Sequence, residues 1–287
     1  MPPFDPEKPN RRIWITGAGG LIGHYLTQHS APFAVMPLTR QSLDFTDFAA
    51  VETRFRQDQP SLVIHCAAMS KTTDCQANPT AAIKINIEAT AHLAALAENA
   101  GFIFFSTDLV FDGQKGNYIE TDSTNPLSVY AETKVEAEQA VLRNPRHTVI
   151  RTSLNSGASP NGQSAFNEQL QAAWRSGRIP DFFRDEFRCP IAAAITARAV
   201  WELAAQNQPG LYHLAGSQRL SRLAVGELAA ARHPELKPQY RASSLKEYKG
   251  APRPADTSLN CAKIQKLLSF PLPGLATYLR DHPGEPF

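Results

Sequence analysis

Tyr130 and Lys134 stand four residues apart in the run Ser128-Val129-Tyr130-Ala131-Glu132-Thr133-Lys134. On a helix that spacing puts both on one face, so a phenol and an ammonium can converge on one cleft. A phenol is a poor acid or base near neutrality, and a neighbouring cation lowers its pKa by stabilising phenolate. Such a pair could exchange a proton with a carbonyl oxygen, while the ammonium holds the ribose of a nicotinamide cofactor. The plainer reading is an exposed helix with an incidental Tyr and Lys. Against it stands Phe105-Ser106-Thr107-Asp108, which ends an apolar run on the side where doubly wound sheets bind ligands. A hydroxyl from Thr107 or Ser106 there could hydrogen-bond a substrate oxygen as charge develops on it. Serine and threonine are also ordinary caps at strand ends, so the segment counts only in combination.

Upstream lies Thr16-Gly17-Ala18-Gly19-Gly20-Leu21-Ile22-Gly23, just after Ile13-Trp14-Ile15. Gly17 permits a tight turn, Gly20 lets the backbone approach a phosphate, and Gly23 lets helix and strand pack closely. The following helix start, at Leu21 and Ile22, then offers free N–H groups and a partial positive charge to a pyrophosphate. The bland alternative is a glycine-rich turn with no ligand. Its place between a predicted strand and helix favours the nucleotide. Which dinucleotide depends on the end of the second strand, where an NAD enzyme usually carries an acid. Here the chain reads Thr39-Arg40-Gln41, and no acid follows until Asp44. A guanidinium at Arg40 could pair with a 2′-phosphate, which favours NADP with NAD still possible.

These groups need a scaffold, and the first half of the chain supplies the pattern of one. Ile13-Trp14-Ile15, Phe33 to Leu38, Leu62 to His65, Phe102 to Phe105 and His147 to Ile150 read as strands separated by helical stretches. Gly20 to Ser30 reads as the first helix, and Pro79 to Ala100 as one long alanine-rich helix stopped by Gly101. Asn125-Pro126 signals a turn before the helix of Tyr130 and Lys134. The fold class expected is α/β: a doubly wound parallel sheet with a smaller C-terminal substrate lobe. Residues 1–10, with four prolines, read as a flexible leader. Residues 11–153 read as the dinucleotide-binding domain, and 154–287 as mainly the substrate lobe, partly returning to the first domain.

Composition narrows the function further. Net charge is +2 and scattered, so no nucleic-acid or membrane surface is indicated. No apolar run reaches membrane-spanning length and no signal-peptide core opens the chain. The four cysteines show no zinc-like pairing, and with no export signal they point to a reducing cytoplasm. Cys66 reads as a buried core thiol. The eight histidines lack metal-ligand spacing and read as structural or surface residues, with no metal site expected. Glu132, Glu136 and Glu138 read as a solvated helix face.

With these residues in place, the chain after Asn10 resembles the extended short-chain dehydrogenase/reductase superfamily. Within it, the likeness is to the dTDP-4-dehydrorhamnose reductase-like family. It runs through the glycine motif, Leu43 to Asp47, His65-Cys66-Ala67-Ala68, Asn86, Ser106 to Gly113, and Tyr130 with Lys134. It continues through Arg151-Thr152-Ser153, Asp185 with Pro190, Gly210 to His213, and Arg253-Pro254 leading to Ser258-Leu259. The resemblance implies that Thr107, Tyr130 and Lys134 form the catalytic group, Tyr130 giving a proton as NADPH delivers hydride to a keto-sugar. It implies cofactor contacts at Thr16, Gly17, Gly20, Leu21, Ile22, Gly23, Arg40, Asp44, Ala67, Ala68, Ser106, Thr152 and Ser153. Asp108, Leu109, Val110, Leu154 and Arg253 would face a nucleotide-sugar substrate, and a homodimer is implied by analogy.

The chain also departs from the family. An aromatic is common where Leu109 stands, and a tryptophan and another aromatic where Leu154 and Ser156 stand. Two alternatives therefore accompany the reductase. One is a nucleotide-sugar epimerase or dehydratase. The other is a non-catalytic NADP-binding protein resembling the regulatory subunit of methionine adenosyltransferase.

Overall fold

The computed structural model describes residues 12–287; the expected leader, 1–10, lies outside them. The chain runs β1 (Ile13–Thr16), α1 (Leu21–Gln28), β2 (Val35–Leu38), α2 (Phe48–Asp58) and β3 (Leu62–His65). It continues with α3 (Thr72–Ala77), α4 (Pro79–Ala82), α5 (Ala89–Leu96), β4 (Gly101–Thr107), α6 (Val129–Leu142) and β5 (His147–Thr152). The later part holds β6 (Asn155–Ser156), α7 (Phe166–Arg175), β7 (Asp181–Phe183) and β8 (Phe187–Arg188). It then returns through β9 (Ile191–Ala192), α8 (Ala193–Gln206) and β10 (Gly210–Leu214).

Six strands form one parallel sheet in the order β10-β5-β4-β3-β1-β2. The expected doubly wound sheet is therefore present, and the return strand β10 joins it beside β5. Parallel strands must be covered on both faces, which is why their sequences are apolar throughout. Alternate residues of β4 show the two covers. Ile103 and Phe105 pack with α1 and α8, including Leu26, Val200 and Trp201. Phe102 and Phe104 pack with Val51, Leu93, Ala137 and Val141 of α2, α5 and α6. Pro37, which cannot donate to a ladder, sits in β2 at the sheet edge. A separate apolar cluster joins Phe166 and Trp174 of α7, Phe182 of β7, Val225 and Tyr278, while α8 and β10 return to the main sheet.

The chain reverses direction across the sheet beside β1, between β2 and β3, and the glycine turn follows at that switch point. One expected element is broken. The stretch from Pro79 is not a single helix, because Ile83–Glu88 is wound as a π-helix between α4 and α5. That wider turn carries Asn86, fully buried, toward the loop after β3. Gly101 opens β4 rather than ending a helix, and a Cβ there would sit 2.9 Å from Leu62 Cδ1. Among the described residues no helix is long and apolar enough to cross a membrane.

Candidate active site

The glycine turn occupies Gly17 to Gly20, between β1 and α1. Gly17 has φ +65°, and a Cβ on it would lie 2.7 Å from the Ala67 backbone nitrogen. Gly23 packs against the turn, where a Cβ would be 2.5 Å from the Gly17 carbonyl oxygen. Gly20 is different: its Cβ would meet only that same oxygen, at 3.3 Å. It caps α1 with no side chain, so no side chain blocks the first-turn amides of Leu21 and Ile22. This cradle is shaped for an anion such as a pyrophosphate.

Thr16 sets the cradle from behind. Its Oγ1 accepts hydrogen bonds from Cys66 N (3.2 Å) and Ala67 N (3.1 Å), and lies 2.7 Å from His65 Nδ1. A hydroxyl has one proton and two lone pairs, so Thr16 gives its proton to Nδ1. His65 Nε2 then carries the ring hydrogen and donates to Thr90 Oγ1 at 3.1 Å. Burial pushes the His65 pKa down to about 3, with the Lys134 charge adding to the effect. The Thr16 side chain is thus wholly inside the protein and shapes the ligand cradle through the backbone of Ala67.

The wall from Ala67 to Met69 is pinned by Asn86. Its Oδ1 accepts from Met69 N (2.8 Å), and its Nδ2 donates to Met69 O and to Thr133 Oγ1 (both 3.0 Å). Thr133 donates in turn to Tyr130 O at 2.7 Å, so Asn86 couples the wall to α6. In the sequence Asn86 is only one of the residues carrying the family resemblance. Its signal was an amide between isoleucines in an alanine-rich stretch.

Ser128 starts α6, its Oγ accepting from Ala131 N, and the inward face then carries Lys134, Ala137, Glu138 and Val141. Tyr130 and Lys134 share that side, as the spacing requires. The Tyr130 hydroxyl lies near Thr107 at the end of β4. Burial pushes its pKa up, against the influence of Thr107, so the phenol holds its proton. Lys134 is buried, its Nζ 3.9 Å from the Phe104 ring centroid, and burial pushes its own pKa down to about 7.

Thr107 Oγ1 accepts from Leu109 N at 3.2 Å and contacts Asp108 Oδ1 at 3.3 Å. Asp108, expected to face substrate, is buried and committed internally. Its Oδ2 accepts from Ser153 Oγ (2.7 Å) and Thr257 Oγ1 (3.0 Å), with Arg188 Nε at 3.8 Å. Desolvation raises its pKa against those partners. Val110 is also misassigned by the sequence reading. It is fully buried with Phe111, Tyr118 and Leu259, and presents no surface to a ligand. Leu109 is half-buried beside them.

The remaining expected positions are scattered around this edge. Arg40 is exposed just after β2, and Asp44 is exposed with its Oδ1 accepting from Thr46 N and Oγ1 (2.9 and 2.8 Å). Ala67, Ala68 and Ser153 are half-buried, while Ser106 is buried with an Oγ that has no hydrogen-bond partner among the described residues. Thr152 is buried and receives Asn155 Nδ2 at 3.0 Å. Leu154 packs against the C-terminal apolar cluster. Arg253 pairs with Glu186 (2.7 and 3.0 Å) and lies over the Phe183 and Tyr248 rings. Cys66 is only half-buried, one residue beyond β3, though desolvation still pushes its pKa up. Glu138, expected in solvent, is buried in a bidentate pair with Arg151. Glu132 and Glu136 are exposed. No group of three or more metal-ligating side chains occurs among the described residues.

Residues 11–282 match the family model described as RmlD substrate binding domain. The dTDP-4-dehydrorhamnose reductase of Sinorhizobium fredii is 30% identical over 278 residues, 91% of this chain and 93% of that protein. Methionine adenosyltransferase 2 subunit beta of Bos taurus is 27% identical over 277 residues, 90% of this chain and 83% of that protein. A crystal structure of a hypothetical dTDP-4-dehydrorhamnose reductase from Sulfolobus tokodaii is similar, with TM-score 0.81 and 29% identity. It covers 92% of this chain and 97% of its own.

Proposed function

The chain belongs to the RmlD substrate binding domain family, and from that membership we propose that it is an NADPH-dependent reductase of a 4-keto nucleotide sugar. One observation carries the reading. The Tyr130 hydroxyl lies near Thr107 at the ligand-binding edge of the sheet, with Lys134 one helical turn away and the glycine cradle on the same edge.

The α1 amides and Gly20 hold the cofactor pyrophosphate, and Arg40 holds the 2′-phosphate at the end of β2. Ala67 and Ala68 form the wall beside the cofactor ribose. NADPH, when bound, supplies the hydride. Tyr130, kept protonated by burial, donates its phenolic proton to the carbonyl oxygen, and Thr107 hydrogen-bonds that oxygen. The resulting phenolate is stabilised by the Lys134 ammonium, which also orients the ribose hydroxyls. Reduction is favoured over dehydration because the Asp108 carboxylate is enclosed by Ser153, Thr257 and Arg188 and does not reach an open cleft.

The test is carbonyl-dependent NADPH oxidation across a panel of 4-keto nucleotide sugars. Tyr130→Phe should lower turnover by about 10²-fold or more while NADPH still binds. A second reading, a non-catalytic NADP-binding regulator, has support in the 27% identity to the methionine adenosyltransferase subunit. Tight NADPH binding with no turnover on any sugar of the panel would select it.

A further inference from the structure

Glu138 is a buried carboxylate with no part in the chemistry above. It lies one turn beyond Lys134 on the inward face of α6, and both side chains are almost fully enclosed. Arg151 of β5 clamps it, with Nε 3.0 and 3.2 Å from its two oxygens and Nη2 2.7 Å from one. The Arg151 guanidinium rests 5.1 Å from the Phe111 ring centroid, so the pair is built into the core. Lys134 and Glu138 are thus enclosed one helical turn apart, with the Arg151 guanidinium clamping the carboxylate. A buried ion pair is weak evidence for stability, which leaves room for another role.

We propose that Glu138 is a positioning residue for the reduction, supplying the buried negative charge that keeps Lys134 an ammonium one helical turn from Tyr130. This rests on the reductase reading. The groups facing Lys134 leave no substitute. His65 at the end of β3 is held neutral by burial. The Cys66 thiol after β3 and the Cys75 thiol of α3 are both pushed up by desolvation and stay protonated. Tyr130 likewise keeps its proton, and Asp108 acts on the tyrosine from β4's far end. Desolvation drives Lys134 toward its neutral form, and Glu138 is the strongest group opposing that.

The experiment compares Glu138→Gln, which removes the charge, with Glu138→Asp, which keeps the charge but loosens the Arg151 clamp. Turnover and NADPH affinity are measured against pH for both and for the unaltered protein. Loss of the Lys134 proton ends activity as pH rises, so Glu138→Gln should move the alkaline limb to lower pH by about one unit. That is about a tenfold loss above the limb with the low-pH plateau retained. Glu138→Asp should leave the limb in place. Equal losses at all pH values in both variants, or an unmoved limb in Glu138→Gln, would overturn the proposal. Should Glu138→Gln fail to fold, Glu138→Gln/Arg151→Gln leaves neither charge unpaired, and its limb should still fall. If the unaltered protein turns over no carbonyl, the reductase reading fails. The pH dependence of NADPH affinity in the same variants then still decides the role of Glu138.

Discussion

Thr16 Oγ1 stands 2.7 Å from His65 Nδ1, so the ends of β1 and β3 are joined by a hydroxyl directly behind the glycine turn. The same oxygen receives the backbone of Cys66 and Ala67. Thr16→Val keeps the shape but leaves those groups unpaired, at about 1–3 kcal/mol for each buried group. The variant should unfold at lower urea concentration and bind NADPH more weakly. Unchanged affinity would show that the Ala67 wall does not depend on this hydroxyl.

Two glycines of one motif should respond differently to alanine. Gly17→Ala places a Cβ against the Ala67 backbone at positive φ, so it should destabilise the fold. Gly20→Ala meets only a 3.3 Å contact, so it should fold near normally and lose NADPH affinity. Thermal unfolding and cofactor titration of both variants check the pair.

Arg40 is exposed and near the end of β2, where its charge attracts Asp44. Arg40→Ala should weaken NADPH by roughly tenfold or more, from the loss of a charged hydrogen bond, and leave NADH unchanged. Equal affinity ratios before and after the substitution would remove Arg40 from the cofactor site.

Two buried histidines predict acid sensitivity of a definite sign. Burial pushes His65 down to about 3 and His213 down to about 4, the latter helped by the Arg151 charge. Below pH 6.5 the unfolded chain takes up protons at these rings and the folded protein does not. Stability should therefore fall as pH drops from about 6.5 toward 4, by roughly 1.4 kcal/mol per pH unit for each ring. Urea unfolding of His213→Asn across that range should show a shallower fall than the unaltered protein.

The readable features were local ones. Gly17, Gly20 and Gly23 answer to turn and packing demands within a few residues, and Tyr130 with Lys134 answers to one helical turn. The strands announced themselves because a sheet covered on both faces needs unbroken apolar runs, as in Phe102 to Phe105. Burial of polar groups could not be read this way, since it depends on partners distant in sequence. Glu138 reads as a surface residue until β5 brings Arg151 against it. Asp108 reads as a site acid until Thr257, 149 residues later, closes over it. Asn86 reads as part of a plain helix until a π-turn aims it at Met69 and Thr133. Local spacing specifies which side chains can meet, and only the packed tertiary structure decides which charges keep water.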